Sequence, residues 1–127
     1  MPADVSALIA LDSVAAHDPR RARQIADWQA SADVDVAERA GRLAGYLVIH
    51  HHFFGEAFVE MLMVAREQRS QGVGAALQRH AIALQGQRRL FASTNTSNTG
   101  MQRLLAASGF IDSGIMRGLD EGDLELL

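Results

Sequence analysis

One stretch constrains this chain more than any other: Met63-Val64-Ala65-Arg66-Glu67-Gln68-Arg69-Ser70-Gln71-Gly72-Val73-Gly74-Ala75-Ala76-Leu77. An apolar run ends there, a polar turn follows, two closely spaced glycines come next, and an amphipathic pattern begins. That is the order of a strand, a tight connection and the first turn of a helix. A chain built this way folds as a layered mixture of helix and sheet. The same arrangement points several backbone N–H groups and one arginine at a single place. An anion belongs there, a pyrophosphate above all.

The flanking residues supply the remaining elements. Asp4 is placed to cap a helix carrying Val5, Leu8, Ile9 and Val14. Asp18-Pro19 stops it and starts a second helix, marked by Ile25, Trp28 and Gln29 and fading at Ala30-Ser31. Val34 and Val36 alternate with Asp33 and Asp35 in a short strand, and Ala40-Gly41 is a turn. Arg42 to His50 is a strand with Leu43, Leu47 and Ile49 on one face and Tyr46 and Val48 on the other. Phe53-Phe54-Gly55 is a hairpin tip, and Glu56 to Val64 the return strand. After the glycines, a helix to Gln85 carries the stripe Val73, Leu77, Ala81 and Leu84. Leu90 to Ser93 is a short strand, parallel to the one ending at Val64 because a crossover helix joins them. Asn98 caps a last helix with Met101, Leu104 and Leu105 inward, and Gly109 ends it. Phe110 to Arg117 is a strand, 119–122 a turn, and Asp123 to Leu127 the start of a final strand. The expected fold class is α/β: a mixed, mostly antiparallel sheet with helices on both faces, in a single domain spanning 1–127.

With 127 residues and 48% hydrophobic content, the chain buries a core without covalent staples. It has no cysteine, so disulfides, thiolate metal sites and cysteine catalysis are excluded. A net charge of −3 gives no support for nucleic-acid binding. No run approaches the ~20 apolar residues of a membrane span, and no signal pattern opens the chain, so a cytoplasmic location is expected. All twelve cationic residues are arginine. An enzyme of this composition that acylates amines has no lysine of its own to modify.

Three anion-binding patterns compete for the glycine turn. A nucleotide P-loop needs Lys-Ser/Thr after its last glycine, where Ala75-Ala76 stand. A dinucleotide fingerprint needs a third glycine, where Leu77 stands. The third pattern, Arg69-Ser70-Gln71-Gly72-Val73-Gly74, resembles the acyl-CoA pyrophosphate loop of the GNAT-type N-acetyltransferase superfamily. Val64, five residues before the arginine, matches the end of that superfamily's apolar strand. Asn98 followed eleven residues on by Gly109-Phe110 matches its second motif. The similarity covers roughly residues 34 to 118. Two departures stand out: the superfamily's first strand is absent, and its last strand is short. The sheet is therefore expected to keep an unpaired edge, with two readings open: a partner chain, a second copy in a homodimer among the candidates, completes it, or the two ends are trimmed relative to relatives.

The resemblance implies acetyl-CoA as cosubstrate, no metal, and direct transfer of the acetyl group to a primary amine of a small molecule, peptide or protein. Two other classes stay open: a non-catalytic acyl-CoA-binding module, and an interaction protein on the same fold. Arg69, Ser70, Gln71, Gly72, Val73, Gly74 and Ala75 would hold the pyrophosphate. The pantetheine arm would lie along Leu62, Met63 and Val64 where strands splay apart, with the N–H of Met63 or Val64 stabilising the oxyanion. Asn98 would hydrogen-bond the arm, or serve as a plain helix cap. Glu60 is the candidate general base: strict alternation puts it on a face with Phe58, Leu62 and Val64, where apolar surroundings raise a carboxyl pKa. The superfamily's usual tyrosine acid is replaced by Leu105, leaving Ser108 without support and Tyr46 to line the acceptor pocket or to pack. His50-His51-His52 is read as a polar hairpin end and not as a metal site, since at most two of the three share a face.

Overall fold

The computed structural model describes residues 5–69, 71–111, 113–120 and 123–127. Asp4, Ser70 and residues 121–122 of the expected turn lie outside them. Helices α1 (Val5–Leu11) and α2 (Pro19–Ser31) come first, followed by β1 (Asp33–Arg39), β2 (Arg42–Phe53) and β3 (Glu56–Val64). Asp18 caps α2 as its sequence suggests, its side chain accepting from the Arg20 N–H. Helix α1 stops short of Val14 for a local reason. The Asp12 carboxylate accepts from the N–H groups of Val14 at 2.8 Å and Ala15 at 3.2 Å, and this side-chain turn replaces the next helical one.

The two hairpins turn at Ala40-Gly41 and Phe54-Gly55, where both residues of each pair have positive φ. These are the paired left-handed conformations of a type I′ turn. A short 3₁₀ turn (Arg66–Gln68) then leads to α3 (Val73–Gln85), β4 (Leu90–Ala92), β5 (Thr94–Asn95), α4 (Thr99–Ala107), β6 (Ile115–Asp120) and β7 (Asp123–Leu126). The main sheet has the order β1-β2-β3-β4, antiparallel except for the parallel β3–β4 pair. A second sheet has the order β5-β7-β6. Among the described residues β1 pairs on one side only, as an edge. Strand β6 begins five residues later than the sequence suggests. The N–H of Phe110 is spent on the carbonyl of Leu105 at 3.0 Å, closing α4, and the Phe110 side chain packs on the core.

Helices cover both faces of the main sheet. On one, Leu8 and Ile25 pack with Tyr46 and Val48. On the other, Val73, Leu77 and Ala81 pack with Leu47, Ile49, Ala57 and Val59. Leu84, expected in that stripe, is 54% exposed. It overhangs a cavity of about 510 Å³ near the β1 edge, where the sheet beneath the last helical turn runs out. Ala44 rather than Leu43 joins Leu47 and Ile49 in the core, because the β1–β2 register shifts at Ala37/Glu38 and lets β2 carry an extra residue.

A second bulge matters more. Ile49 faces Val59, whereas Val48 faces Met61, so Glu60 is an extra residue in β3. Beyond it the alternation inverts: Ala57 and Val59 share a cluster with Leu62 and Val64, while Met61 and Met63 join the opposite one. Glu60 therefore does not share a face with Leu62 and Val64. A single inserted residue moves every later side chain to the other side of a strand.

Candidate active site

The site is built where β3 loses a neighbour. Strand β4 pairs with Ala57, Phe58 and Val59 and then departs into the second sheet. From Glu60 to Val64, β3 keeps only β2 beside it. The N–H of Ala65 donates to the Ala44 carbonyl at 2.8 Å, which sets the phase of the β2–β3 ladder. Gly45–Val64 and Leu47–Leu62 are then the non-hydrogen-bonded pairs, and Tyr46–Met63 is the bonded one. Leu62 and Val64 turn their backbone groups to the open side. Met63, expected with Val64 as an alternative oxyanion donor, turns its own toward β2. No strand-by-strand reading of one sequence carries this phase, because it depends on which partner residue stands opposite.

Immediately after Val64, the chain turns back and starts α3. Gly72 is the N-cap of that helix at φ +81, with no side-chain cap. Glycine adopts this left-handed conformation without the strain a Cβ would bring. The first intrahelical bond of the helix runs from the Ala76 N–H to the Gly72 carbonyl. The N–H groups of Val73, Gly74 and Ala75 thus point out of the first turn, at the positive end of the helix dipole. Gln71 and Gly72 are exposed beside them, and Val73 is buried in the core. Gly74 has a second reason to lack a side chain: a Cβ there would lie 3.3 Å from Leu104 Cδ2 and near Val64 and Leu62. A substitution at this position strains the α3–α4 contact as well as any anion site, so it does not separate binding from packing.

Arg69 reaches over the same end of β3. Its Nε donates to the Val64 carbonyl at 3.2 Å and its Nη2 to Ser13 Oγ at 3.1 Å, while the residue as a whole stays exposed. The guanidinium is therefore held at the open edge with donors to spare for an anion. Asn98 caps α4, its side-chain oxygen accepting from the Met101 N–H at 3.0 Å. The cap uses the oxygen and leaves the amide NH₂ for other partners.

Glu60 stands at the mouth of the opening, one residue past the last β3–β4 pair. Its surroundings are less apolar than alternation suggests: the side chain is 37% exposed and its Oε2 lies 3.3 Å from His50 Nε2. His51 instead meets Asp33 at 3.3 Å. His50 and His51 thus face different carboxylates, and among the described residues no group of three or more metal-ligating side chains converges. Tyr46 does not line a pocket. It is wholly buried, and its hydroxyl donates to the Asp12 carboxylate. Burial first, then that bond, raises its pKa above the ordinary 10.0. Ser108 spends its hydroxyl on the Leu104 carbonyl at 2.8 Å. Leu105 packs against the core. The Asp12–Tyr46–Arg21 cluster was missed from sequence, and its one available signal was an aspartate at the end of an apolar helix.

A cavity of about 820 Å³ lies elsewhere, between β4, α4 and the C-terminal strand, and none of residues 60–64 or 69–75 lines it. The opening at β3 instead carries the backbone that β4 leaves uncovered and Arg69 beside it.

Residues 4–110 match the family model described as Acetyltransferase (GNAT) family. No curated protein matches the chain. A GNAT-family acetyltransferase from Bacillus cereus has a similar structure, with a TM-score of 0.82 and 27% identity over 97% of this chain and 87% of that one. The Escherichia coli ribosomal-protein-S18-alanine N-acetyltransferase shares the fold at a TM-score of 0.80 and 21% identity, over 97% and 84% of the two chains. A GNAT-family acetyltransferase from Elizabethkingia anophelis, solved with acetyl-CoA bound, shares it at 0.75 and 19%, over 99% and 90%. No helix of the described residues is long and apolar enough to cross a membrane.

Losing the guanidinium at position 69 removes a charge-assisted hydrogen bond, worth about 1.5–3 kcal/mol where it is well formed. The site is exposed, so the lower part of that range applies. Arg69→Ala is expected to weaken acetyl-CoA binding by roughly tenfold. The mutant should keep its thermal midpoint to within a few degrees. Titration calorimetry reads the first and a melting curve the second; unchanged affinity would contradict the assignment of this loop.

Proposed function

Because the chain belongs to the acetyltransferase (GNAT) family, we propose that it transfers the acetyl group of acetyl-CoA directly to a primary amine. The observation that carries the reading is the coincidence of an open β3 edge with the uncapped start of α3 and Arg69. The diphosphate lies against the N–H groups of Val73, Gly74 and Ala75 and against Arg69, with Ser70 and Gln71 in the same loop. The arm runs back along β3 in the place of a missing strand, pairing its amides with the N–H of Val64 and the open groups of Leu62. Asn98 borders it through its amide.

The thioester is the end of the arm remote from the phosphates, so it comes nearest Glu60. Leu62 N–H is the open-edge donor closest to that point, about 7 Å along the strand from Glu60. It polarises the carbonyl and holds the oxyanion. Glu60 takes the proton that an ammonium must lose before its nitrogen can attack. The amine adds to the carbonyl carbon, the C–S bond breaks, the thiolate leaves, and the nitrogen loses its second proton to solvent. A thiolate is a tolerable leaving group, so the loss of the tyrosine at Leu105 does not block the reaction.

The acceptor is a small molecule, peptide or protein amine. The protein works as a single domain in the cytoplasm, and the one-sided edge of β1 suits pairing with a second copy. Leu105 favours one other reading, an acyl-CoA-binding module without turnover. Thiol release from acetyl-CoA in the presence of an amine panel tests the proposal. Release that depends on one class of amine supports it; tight acetyl-CoA binding without release supports the module.

A further inference from the structure

We propose that His50 is a positioning residue for Glu60, clamping one carboxylate oxygen so that the other faces the acceptor amine. The inference rests on the reading of Glu60 as the base. A bulged residue has no residue opposite to fix its direction, and an exposed glutamate there would sample several rotamers. His50 supplies the missing constraint. Its Nε2 lies 3.3 Å from Glu60 Oε2. Its other ring nitrogen, Nδ1, accepts from the N–H of His52 at 3.1 Å. A nitrogen that accepts carries no proton, so the neutral ring carries its proton on Nε2, the nitrogen that lies beside the carboxylate.

The ring itself is held. It stacks on Phe58 with centroids 5.3 Å apart and planes 24° apart, and on His52 at 5.8 Å and 15°. Phe58 in turn packs on Phe53. The imidazole side chain is 23% exposed, less than the carboxylate it contacts. Oε2 is thereby occupied and Oε1 is left for substrate. In the reaction the ammonium proton passes to Oε1, the freed amine attacks the thioester carbon, the C–S bond breaks to release the thiolate, and the nitrogen gives its second proton to solvent. Glu60 then returns its proton to solvent. The Nε2 proton of His50 stays where it is throughout.

Kinetics with acetyl-CoA and an amine that the wild type acetylates test this. His50→Phe keeps a stacked ring and removes the donor; His50→Gln keeps an N–H at similar reach. The first should lower kcat about tenfold with KM for acetyl-CoA unchanged, and the second should recover most of that loss. In a Glu60→Gln background, His50→Phe should cost nothing further. Wild-type kcat in His50→Phe, equal losses in both variants, or an additive loss in the double mutant would each overturn the proposal. His51→Gln, facing Asp33, should leave activity unchanged. A second readout needs no turnover: two-bond ¹⁵N–¹H spectra should show the neutral form of His50 protonated at Nε2, with that nitrogen's resonance moving in Glu60→Gln. A ring protonated at Nδ1 overturns the proposal even if no acceptor turns over. Failure to release thiol with any amine strikes the acetyltransferase reading, whereas normal turnover in His50→Phe beside a crippled Glu60→Gln strikes only the role of His50.

Discussion

Glu60→Gln is expected to lower kcat for amine acetylation by a factor of roughly 10²–10⁴ near neutral pH, the usual range for losing a general base. Acetyl-CoA affinity should not change, because the diphosphate loop and the open edge of Leu62 and Val64 are untouched. The substitution is also structurally mild. Glu60 lies on the surface at a bulge, and glutamine has the same length and shape beside His50. The thermal midpoint should stay within a degree or two of wild type. What changes is the ability to take a proton: an amide has no basic oxygen at neutral pH. The deficit should therefore depend on how much acceptor is already a free base. It should shrink as pH approaches the acceptor's own pKa, about 8 for an α-amine and about 10 for an alkylamine. A deficit that stays constant across that range, or no deficit at all, would remove Glu60 from the mechanism. The pH at which the deficit fades also reports which class of amine is being acetylated.

Asp12→Ala should destabilise the fold by about 3–5 kcal/mol, the range for breaking a buried ion pair by removing one partner. The Asp12 side chain is fully buried and serves four donors. Oδ1 accepts from the N–H groups of Val14 and Ala15, and Oδ2 from Arg21 Nη1 at 3.0 Å and from the Tyr46 hydroxyl. Alanine leaves a guanidinium that is only 15% exposed without its counter-ion, and a buried hydroxyl without an acceptor. Urea denaturation should show a lower midpoint with an unchanged slope. Asp12→Asn keeps an oxygen acceptor and should lie between the two. A loss below 1 kcal/mol in Asp12→Ala would mean that water replaces the carboxylate and that the cluster is not sealed.

The same cluster makes an alkaline prediction. The folded protein holds the Tyr46 proton more tightly than the unfolded chain does, because burial and the bond to Asp12 disfavour the phenolate. Its contribution is complete below the ordinary tyrosine value of 10.0 and declines as pH rises above it. Urea midpoints measured from pH 9 to 11 should fall in the upper part of that window. The decline should be smaller in Tyr46→Phe, which has no proton to lose.

Local stereochemistry was legible in the chain alone. The strand-to-helix joint at Val64–Leu77, the capping residues Asp18 and Asn98, and the terminating Gly109 at φ +91 each depend on a few neighbouring residues. So did the parallel β4, since a crossover helix leaves little choice of direction. On β3 the membership of the two core faces was legible only as far as Val59. Strict alternation fails at Glu60 because the extra residue is recognisable only from what β2 sets opposite it.

Sequence by itself determined that a strand must hand over to a helix through a glycine turn with outward N–H groups. The number and spacing of backbone donors in such a turn follow from φ, ψ and the absence of Cβ over a handful of residues. Only the tertiary structure decided which edge of β3 stands open, that Met63 faces inward to β2, and that His50 meets Glu60 while Asp12 meets Tyr46 across 34 positions. Those outcomes turn on register and on where β4 parts from β3. Both are set by packing between distant segments, and no short window of residues encodes them.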